Sequence, residues 1–329
     1  MKIALTTDKI PTLGIVVPCF NEEEVLPETA KRLEEKINSL CAKNYISENS
    51  KIVFVDDGSK DATWAMISNL YREKPNLFCG IKLSKNKGHQ NALLCGLLTI
   101  KEYCDVVISM DADLQDDIEI IDKMLQKHKD GCEIVYGVRE DRKQDTRFKR
   151  MSALGFYSFM KFLGVDIVYN HADFRLMGKK SLDALAEYRE VNLFLRGIIP
   201  MLGYKTGIEY YSRAERFAGE SKYPLSKMIK FAFEGITSLS IQPIRMITWL
   251  GIILFGVSIA MIIYFITRHF SGHTISGWSS TIVSLWAIGG LILLGIGIVG
   301  EYIGKIYLET KQRPRYQLEQ FLYGGDKTD

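Results

Sequence analysis

The chain has little net charge, with 42 Lys and Arg against 39 Asp and Glu among 329 residues, a formal +3. That balance excludes the strongly basic surface by which nucleic acid is held through its phosphates, and no such partner is expected. Paired cysteine spacings are missing too. Cys19, Cys41, Cys79, Cys95, Cys104 and Cys132 are scattered through the first half, as expected for reduced thiols in a domain facing the cytosol. The opening Met1-Lys2-Ile3-Ala4-Leu5-Thr6-Thr7-Asp8-Lys9 brings charge too soon after its few apolar residues for a signal peptide, so the front half is expected to stay in the cytosol. Charge itself is missing from residues 247–266 and 279–300. Each of these runs is long enough to cross the ~30 Å hydrocarbon core of a bilayer as a helix.

What is present in the rest of the chain is a repeated unit. Apolar, β-branched runs over 13–18, 51–55, 78–83 and 106–110 each end in a polar loop, and stretches at helical spacing follow over 24–40, 61–71, 89–100 and 118–128. A fifth run covers 133–138. Strands alternating with helices predict an α/β domain, a mostly parallel sheet with helices on both faces. Because the polar loops follow strand ends, Asn21, Asp56, Asp57, Asp111 and Asp113 are expected to converge on one rim, where such sheets bind ligands. The densest loop is Ser109-Met110-Asp111-Ala112-Asp113-Leu114-Gln115-Asp116-Asp117. Its acids repel one another unless something neutralises them, and such oxygen-rich clusters suit Mg²⁺ or Mn²⁺ bridging to phosphates. A plain acidic helix start, favoured by the helix dipole, is the other reading, and Asp116 and Asp117 are assigned to it.

Beyond residue 139 the pattern changes. Residues 139–150 mix both charges, 151–165 are apolar and aromatic and predict a helix near a membrane surface, 173–177 and 204–211 read as strands, and 179–188 as a helix. Arg213, Arg216, Ser221 and Lys222 share one segment with Gly219, a composition suited to phosphate contacts. Residues 224–243 set apolar positions among Lys227, Lys230 and Glu234, as in an amphipathic helix lying at the bilayer interface. The uncharged runs then predict a transmembrane hairpin within 244–310, with spans about 246–267 and 278–302. Lys227, Lys230 and Arg245 precede it, and Lys305, Lys311, Arg313 and Arg315 follow it, against Arg268 in the link. The positive-inside rule places the 1–223 domain, the 311–329 tail and both termini in the cytoplasm. Gly289, Gly290, Gly295, Gly297, Gly300 and Gly304 permit close helix approach, either within the hairpin or between subunits of a dimer or tetramer.

Four motifs taken in order carry a resemblance. Pro18-Cys19-Phe20-Asn21-Glu22, Asp56-Asp57-Gly58-Ser59, Asn86-Lys87-Gly88-His89-Gln90-Asn91-Ala92 and Asp111-Ala112-Asp113-Leu114-Gln115-Asp116, followed by two terminal spans, resemble a GT-A glycosyltransferase of family 2. More narrowly, the chain resembles the polyprenyl-phosphate glycosyltransferases, which include dolichol-phosphate mannose synthases and bactoprenol glucosyltransferases. The resemblance covers about residues 11–315.

The resemblance implies a Rossmann-like GT-A domain and a nucleotide-sugar donor held by Pro18, Asn21, Glu22, Asp56, Asp57, Gly88, Asp111 and Arg175. It implies Mg²⁺ or Mn²⁺ on Asp113 and Gln115, with Asp111 at the metal or the ribose, and Asp173 as the base or as an orienting group. Arg196, Arg213, Arg216, Ser221 and Lys222 are then expected at the donor diphosphate or the lipid phosphate, with Arg139 and Arg142 as weaker candidates. Gln242-Pro243-Ile244-Arg245-Met246 departs from the QxxRW pattern of processive members, which favours a single transfer. The expected reaction is inverting transfer of one sugar from a UDP- or GDP-linked donor to undecaprenyl phosphate at the cytoplasmic leaflet of an inner membrane. The alternatives are another lipid acceptor such as diacylglycerol, or a catalytically silent membrane scaffold.

Overall fold

The computed structural model describes residues 10–140, 171–212, 240, 242–270 and 278–324. The expected helix over 151–165, Arg142, the segment with Arg213, Arg216, Ser221 and Lys222, and residues 224–239 of the interfacial helix lie outside these residues. The described chain forms two compact units, an α/β unit that includes residues 314–324 and a helical unit within 224–313.

The α/β unit runs β1 (Leu13–Cys19), α1 (Leu26–Ala42), β2 (Lys51–Asp56), α2 (Thr63–Glu73), β3 (Phe78–Leu83), α3 (His89–Ile100), β4 (Val106–Ser109), a single 3-10 turn (Ile118–Ile120), α4 (Ile121–Lys129), β5 (Ile134–Arg139), β6 (His171–Gly178), α5 (Lys179–Glu187), α6 (Leu195–Met201) and β7 (Thr206–Tyr211). β1 and β2 are buried along their whole length, which is why their sequences are continuous apolar runs rather than alternations. With β8 (Leu318–Leu322) at one edge, the sheet order is β7-β5-β6-β4-β1-β2-β3-β8. Neighbours pair in parallel from β4 through β1 and β2 to β3, and again between β5 and β7.

Two features were not legible in the strand–helix alternation. β6 runs antiparallel to both β4 and β5, so its residues enter the centre of the sheet from the opposite direction. At the far edge, β8 (Leu318–Leu322), from the stretch expected as a tail, pairs antiparallel with β3. Phe321 and Tyr323 pack with Tyr103, which seals that edge with aromatic surface.

α3 is apolar almost all round because it is buried almost all round, with Ala92, Leu93, Leu94, Cys95, Leu97 and Ile100 in the core. Gly96 lets it approach the sheet: a Cβ there would overlap Val16 and come within 2.8 Å of Val55. The middle of α3 is thereby pressed onto β1 and β2.

The helical unit contains α7 (Gln242–Phe270) and α8 (Trp278–Thr310). Among the described residues, Ile288–Thr310 is long and apolar enough to cross a membrane. Its side chains are exposed on several faces, with Leu293 71%, Ile296 62% and Ile306 63% accessible. A helix that is apolar all round and little covered by the described residues suits a lipid surround. An added Cβ on Gly295 would meet Ile247 of α7 at 3.5 Å, whereas at Gly289, Gly290, Gly297, Gly300 and Gly304 it would meet nothing within 4 Å among the described residues.

Gly96→Val should lower stability by about 1–3 kcal/mol through overpacking between α3 and the sheet. A reduced melting temperature of the detergent-solubilised protein, with retained helical circular dichroism, is the expected result.

Candidate active site

The parallel register ends β1, β2 and β3 together, with Cys19 opposite Asp56 and Asp56 opposite Lys82. The loops that follow are stitched to one another by side chains. Asn21, in the left-handed region at φ 54°, donates its N–H to Ser59 Oγ at 3.0 Å and accepts from the Lys60 N–H at 2.9 Å. The Glu22 N–H donates to Thr63 Oγ1 at 2.9 Å. Asn21 and Glu22 thus reach the rim with Asp56 and Asp57, while Pro18 is enclosed within β1 opposite Val55.

Asp56 is fully buried. One of its oxygens accepts the Ser59 N–H at 3.1 Å, and the other, Oδ2, is buried with no hydrogen-bond partner. Burial raises its pKa. A buried acceptor without a donor is costly unless a ligand supplies one.

Asp57 is committed to the chain itself, accepting the N–H groups of Lys87 at 2.7 Å and Gly88 at 2.8 Å. Burial raises its pKa, against the pull of those two donors. Gly88 stands at φ 86° with nothing within 4 Å of an added Cβ among the described residues, so its backbone conformation is what demands glycine.

The acidic loop leaves β4 beside β1, with the Met110 N–H on the Val16 carbonyl at 3.1 Å. Thr29 of α1, itself buried, donates to the Ala112 carbonyl at 2.8 Å and fixes the loop from behind. Leu114 takes a positive φ of 56°, which folds Asp113 back so that its Oδ1 accepts the Gln115 N–H at 3.2 Å. Desolvation raises the Asp111 pKa to about 6; His89 opposes the rise, and Asp116, Asp173 and Asp113 add to it.

Asp117 does start the next turn, accepting the Glu119 N–H at 3.0 Å. Asp116 does not. It is buried against β7, where the Tyr211 hydroxyl donates to its Oδ1, Arg139 Nη2 lies 3.4 Å from the same oxygen, and Arg139 Nε donates to the Tyr211 hydroxyl at 3.1 Å. The acid run alone could not separate the two, because burial of Asp116 depends on a tyrosine far along the chain.

β6 delivers the opposite charge. Asp173 accepts from Arg175 through Oδ1 and from Arg196 Nη2 at 3.0 Å through Oδ2. Burial opposes its ionisation, but Arg196 and Arg175, with His89, hold its carboxyl well below the usual carboxylate range. Arg175 has no exposed surface, so its reach to any donor runs through Asp173. Ser109 of β4 locks the pair from below, donating to the Asp173 carbonyl at 2.6 Å.

His89 Nε2 lies 3.5 Å from both Asp111 Oδ1 and Asp173 Oδ2. The ligand atoms of His89, Asp111 and Asp173 lie within 4.8 Å of one another, a possible acidic metal site. Asp113 and Gln115, expected as ligands with Asp111, lie in the adjoining turn. The clustered carboxylates and the buried, unpartnered Asp116 Oδ2 fit a divalent cation in this loop. His89, Asp116 and Tyr211 were missed as site residues, and of these only Tyr211 stood outside the quoted motifs.

Residues 14–186 match the model of glycosyl transferase family 2. The chain belongs to that family. As a family 2 member it is a glycosyltransferase, with the GT-A-like, mostly parallel α/β sheet described above. It is 40% identical over 315 residues to the bactoprenol glucosyl transferase of Shigella phage SfX, covering 93% of this chain and 98% of that protein. It is 38% identical over 313 residues to the prophage bactoprenol glucosyl transferase homolog of Escherichia coli (strain K12), covering 94% and 98%. The uncharacterized glycosyltransferase YkoT of Bacillus subtilis (strain 168) is 55% identical over 313 residues, covering 95% and 93%.

In this glycosyltransferase, Gly88→Ala places a side chain on a backbone conformation that costs about 1–3 kcal/mol. If residues 86–88 face the donor, nucleotide-sugar affinity measured by calorimetry should fall by about tenfold with the fold retained. Unchanged affinity would remove this loop from the donor site. Asp173→Asn leaves Arg175 buried without its counter-charge, a loss on the order of 3–5 kcal/mol, visible as a lower melting temperature.

Proposed function

We propose that this family 2 enzyme transfers a single sugar, with inversion, from a UDP- or GDP-linked donor to a polyprenyl phosphate such as undecaprenyl phosphate at the cytoplasmic face of a membrane. The observation that carries the acceptor class is the state of Asp173. Both of its oxygens are occupied by guanidinium groups, so it is a poor proton acceptor. A phosphate monoester arrives already ionised and needs none, whereas the hydroxyl of diacylglycerol does. The names of the bactoprenol relatives support the same choice.

In this reading the unpartnered Asp56 oxygen receives a ring N–H of the nucleobase, and Asn21, Glu22 and the loop carrying Gly88 line the nucleoside side. Asp111, Asp113 and Gln115 would hold Mg²⁺ or Mn²⁺, which when bound stabilises charge on the departing diphosphate. Arg196, about one-third exposed, takes the acceptor phosphate, with Arg213, Arg216, Ser221 and Lys222 as further phosphate ligands. An oxygen of the lipid phosphate forms the new bond to the anomeric carbon as the bond to the nucleoside diphosphate breaks, and the leaving diphosphate keeps the electron pair. Asp173 serves by holding Arg196 in place.

The membrane reading rests on connectivity. β1–β7 precede α7, and β8, which follows α8, pairs with β3 of the same sheet. A chain that begins and ends in one sheet crosses a bilayer an even number of times in between. If Ile288–Thr310 crosses, a second crossing is required, and α7 is our candidate for it. With the basic residues that flank the two helices, this supports reading the chain as a two-span inner-membrane protein with its catalytic domain and termini in the cytoplasm. The glycines of α8 that no described residue covers support a reading of packing between subunits as a homo-oligomer.

A panel of UDP- and GDP-sugars incubated with undecaprenyl phosphate or diacylglycerol, followed by lipid extraction, should label the lipid phosphate alone. Label in diacylglycerol would overturn the acceptor assignment, and absence of donor binding would favour the scaffold alternative. Chelation by EDTA should stop transfer, and Mg²⁺ or Mn²⁺ should restore it. Arg196→Lys keeps the charge but loses the planar fork, so kcat/KM for the lipid phosphate should fall at least about tenfold while donor affinity holds.

A further inference from the structure

The first turn of α3 reaches beyond the donor-side loop. Gln90 Oε1 accepts the backbone N–H of Leu195 at 2.8 Å, a contact spanning 105 positions of sequence. Leu195 opens α6, a helix of seven residues, too short to hold its conformation without tertiary support. The N–H that Gln90 receives belongs to its first residue and has no intrahelical partner. The next residue is Arg196, whose guanidinium meets Asp173 at 3.0 Å. On its other side Gln90 follows Gly88 by two residues, and the Gly88 N–H is held by Asp57. Asp57, the 87–88 backbone, Gln90, Leu195, Arg196 and Asp173 therefore form one connected path from the nucleoside side of the rim to the buried charge cluster.

We propose that Gln90 is a positioning residue that sets Arg196 for the acceptor phosphate by holding the Leu195 N–H, so that the donor-side loop and the acceptor-side arginine keep one register. This rests on the reading of Arg196 as an acceptor-phosphate ligand. Gln90 touches neither substrate in this role. Its loss leaves the charges of the site intact and frees the start of α6 to shift, and a displacement of about 1 Å in a reacting group can cost about a hundredfold in rate.

The test uses the full-length protein in nanodiscs, with wild type, Gln90→Met and Gln90→Glu compared by steady-state transfer to polyprenyl phosphate, donor calorimetry and thermal melting. Gln90→Met has similar bulk and no acceptor oxygen. It should lower kcat/KM for the lipid phosphate by about tenfold to a hundredfold, with donor affinity and melting temperature unchanged. Gln90→Glu keeps an acceptor at a helix start, where negative charge is tolerated, and should stay within about threefold of wild type.

Wild-type kinetics in Gln90→Met overturn the proposal. So does parallel loss of donor affinity and stability, which marks a general structural brace, or an equal defect in Gln90→Glu. If the wild type itself transfers nothing to polyprenyl phosphate, the acceptor reading has failed and this inference falls with it. A failure confined to the Gln90 series, with the wild type active, leaves the acceptor reading standing.

Discussion

The structure depends on a buried carboxylate shared between two guanidinium groups. Asp173 is drawn into the sheet by β6, and Arg175, two residues on in the same strand, has no solvent of its own. Taking such charges out of water is costly, and the cost is offset only when each has a well-placed counter-charge. Arg175 meets one oxygen of the carboxylate through Nη2, its Nε and Nη1 staying buried without a hydrogen-bond partner, and the other oxygen holds Arg196 at the edge of the site. The same arrangement that neutralises a core arginine presents a second, reachable one. It also makes Asp173 a poor proton acceptor, which suits the ionised acceptor proposed for this enzyme.

Around this pair the site is assembled by loops that side-chain hydrogen bonds tie to neighbouring loops and helices. Asp57 holds the loop after β3, Ser59 and Thr63 hold the loop after β1, and Thr29 of α1 holds the acidic loop after β4. Rigid placement of polar groups is what allows several carboxylates to share one rim, since mobile chains would separate them by repulsion. α3 supplies the scaffold: its buried body, pressed onto the sheet through Gly96, fixes where His89 and Gln90 emerge. The return of the chain as β8 adds a constraint of another kind. The sheet is not complete until residues beyond the long apolar helices have come back to it. Closure of the sheet edge thus depends on a short segment that follows the long apolar helices, sealed by Tyr103, Phe321 and Tyr323.

The strands, most helices and the rim positions of Asn21, Asp56, Asp57 and Asp111 were legible in the sequence because they follow from local periodicity and from polar residues standing at strand ends. The four motifs in order were enough for the family. The antiparallel entry of β6, the edge pairing of β8 and the short α6 were not legible, since strand direction and register depend on partners remote in sequence. The functional pairings were hidden for the same reason. Asp116 and Asp117 are adjacent and chemically identical, yet one caps a turn while the other is buried with Tyr211, and only packing against β7 separates them. Gln90 reads as an ordinary polar helix residue until Leu195 is brought to it. The sequence by itself determined the kinds of groups available and the elements that carry them. Tertiary structure decided which charges are neutralised, which remain reachable and which residues hold them, because burial and hydrogen bonding are set by neighbours in space.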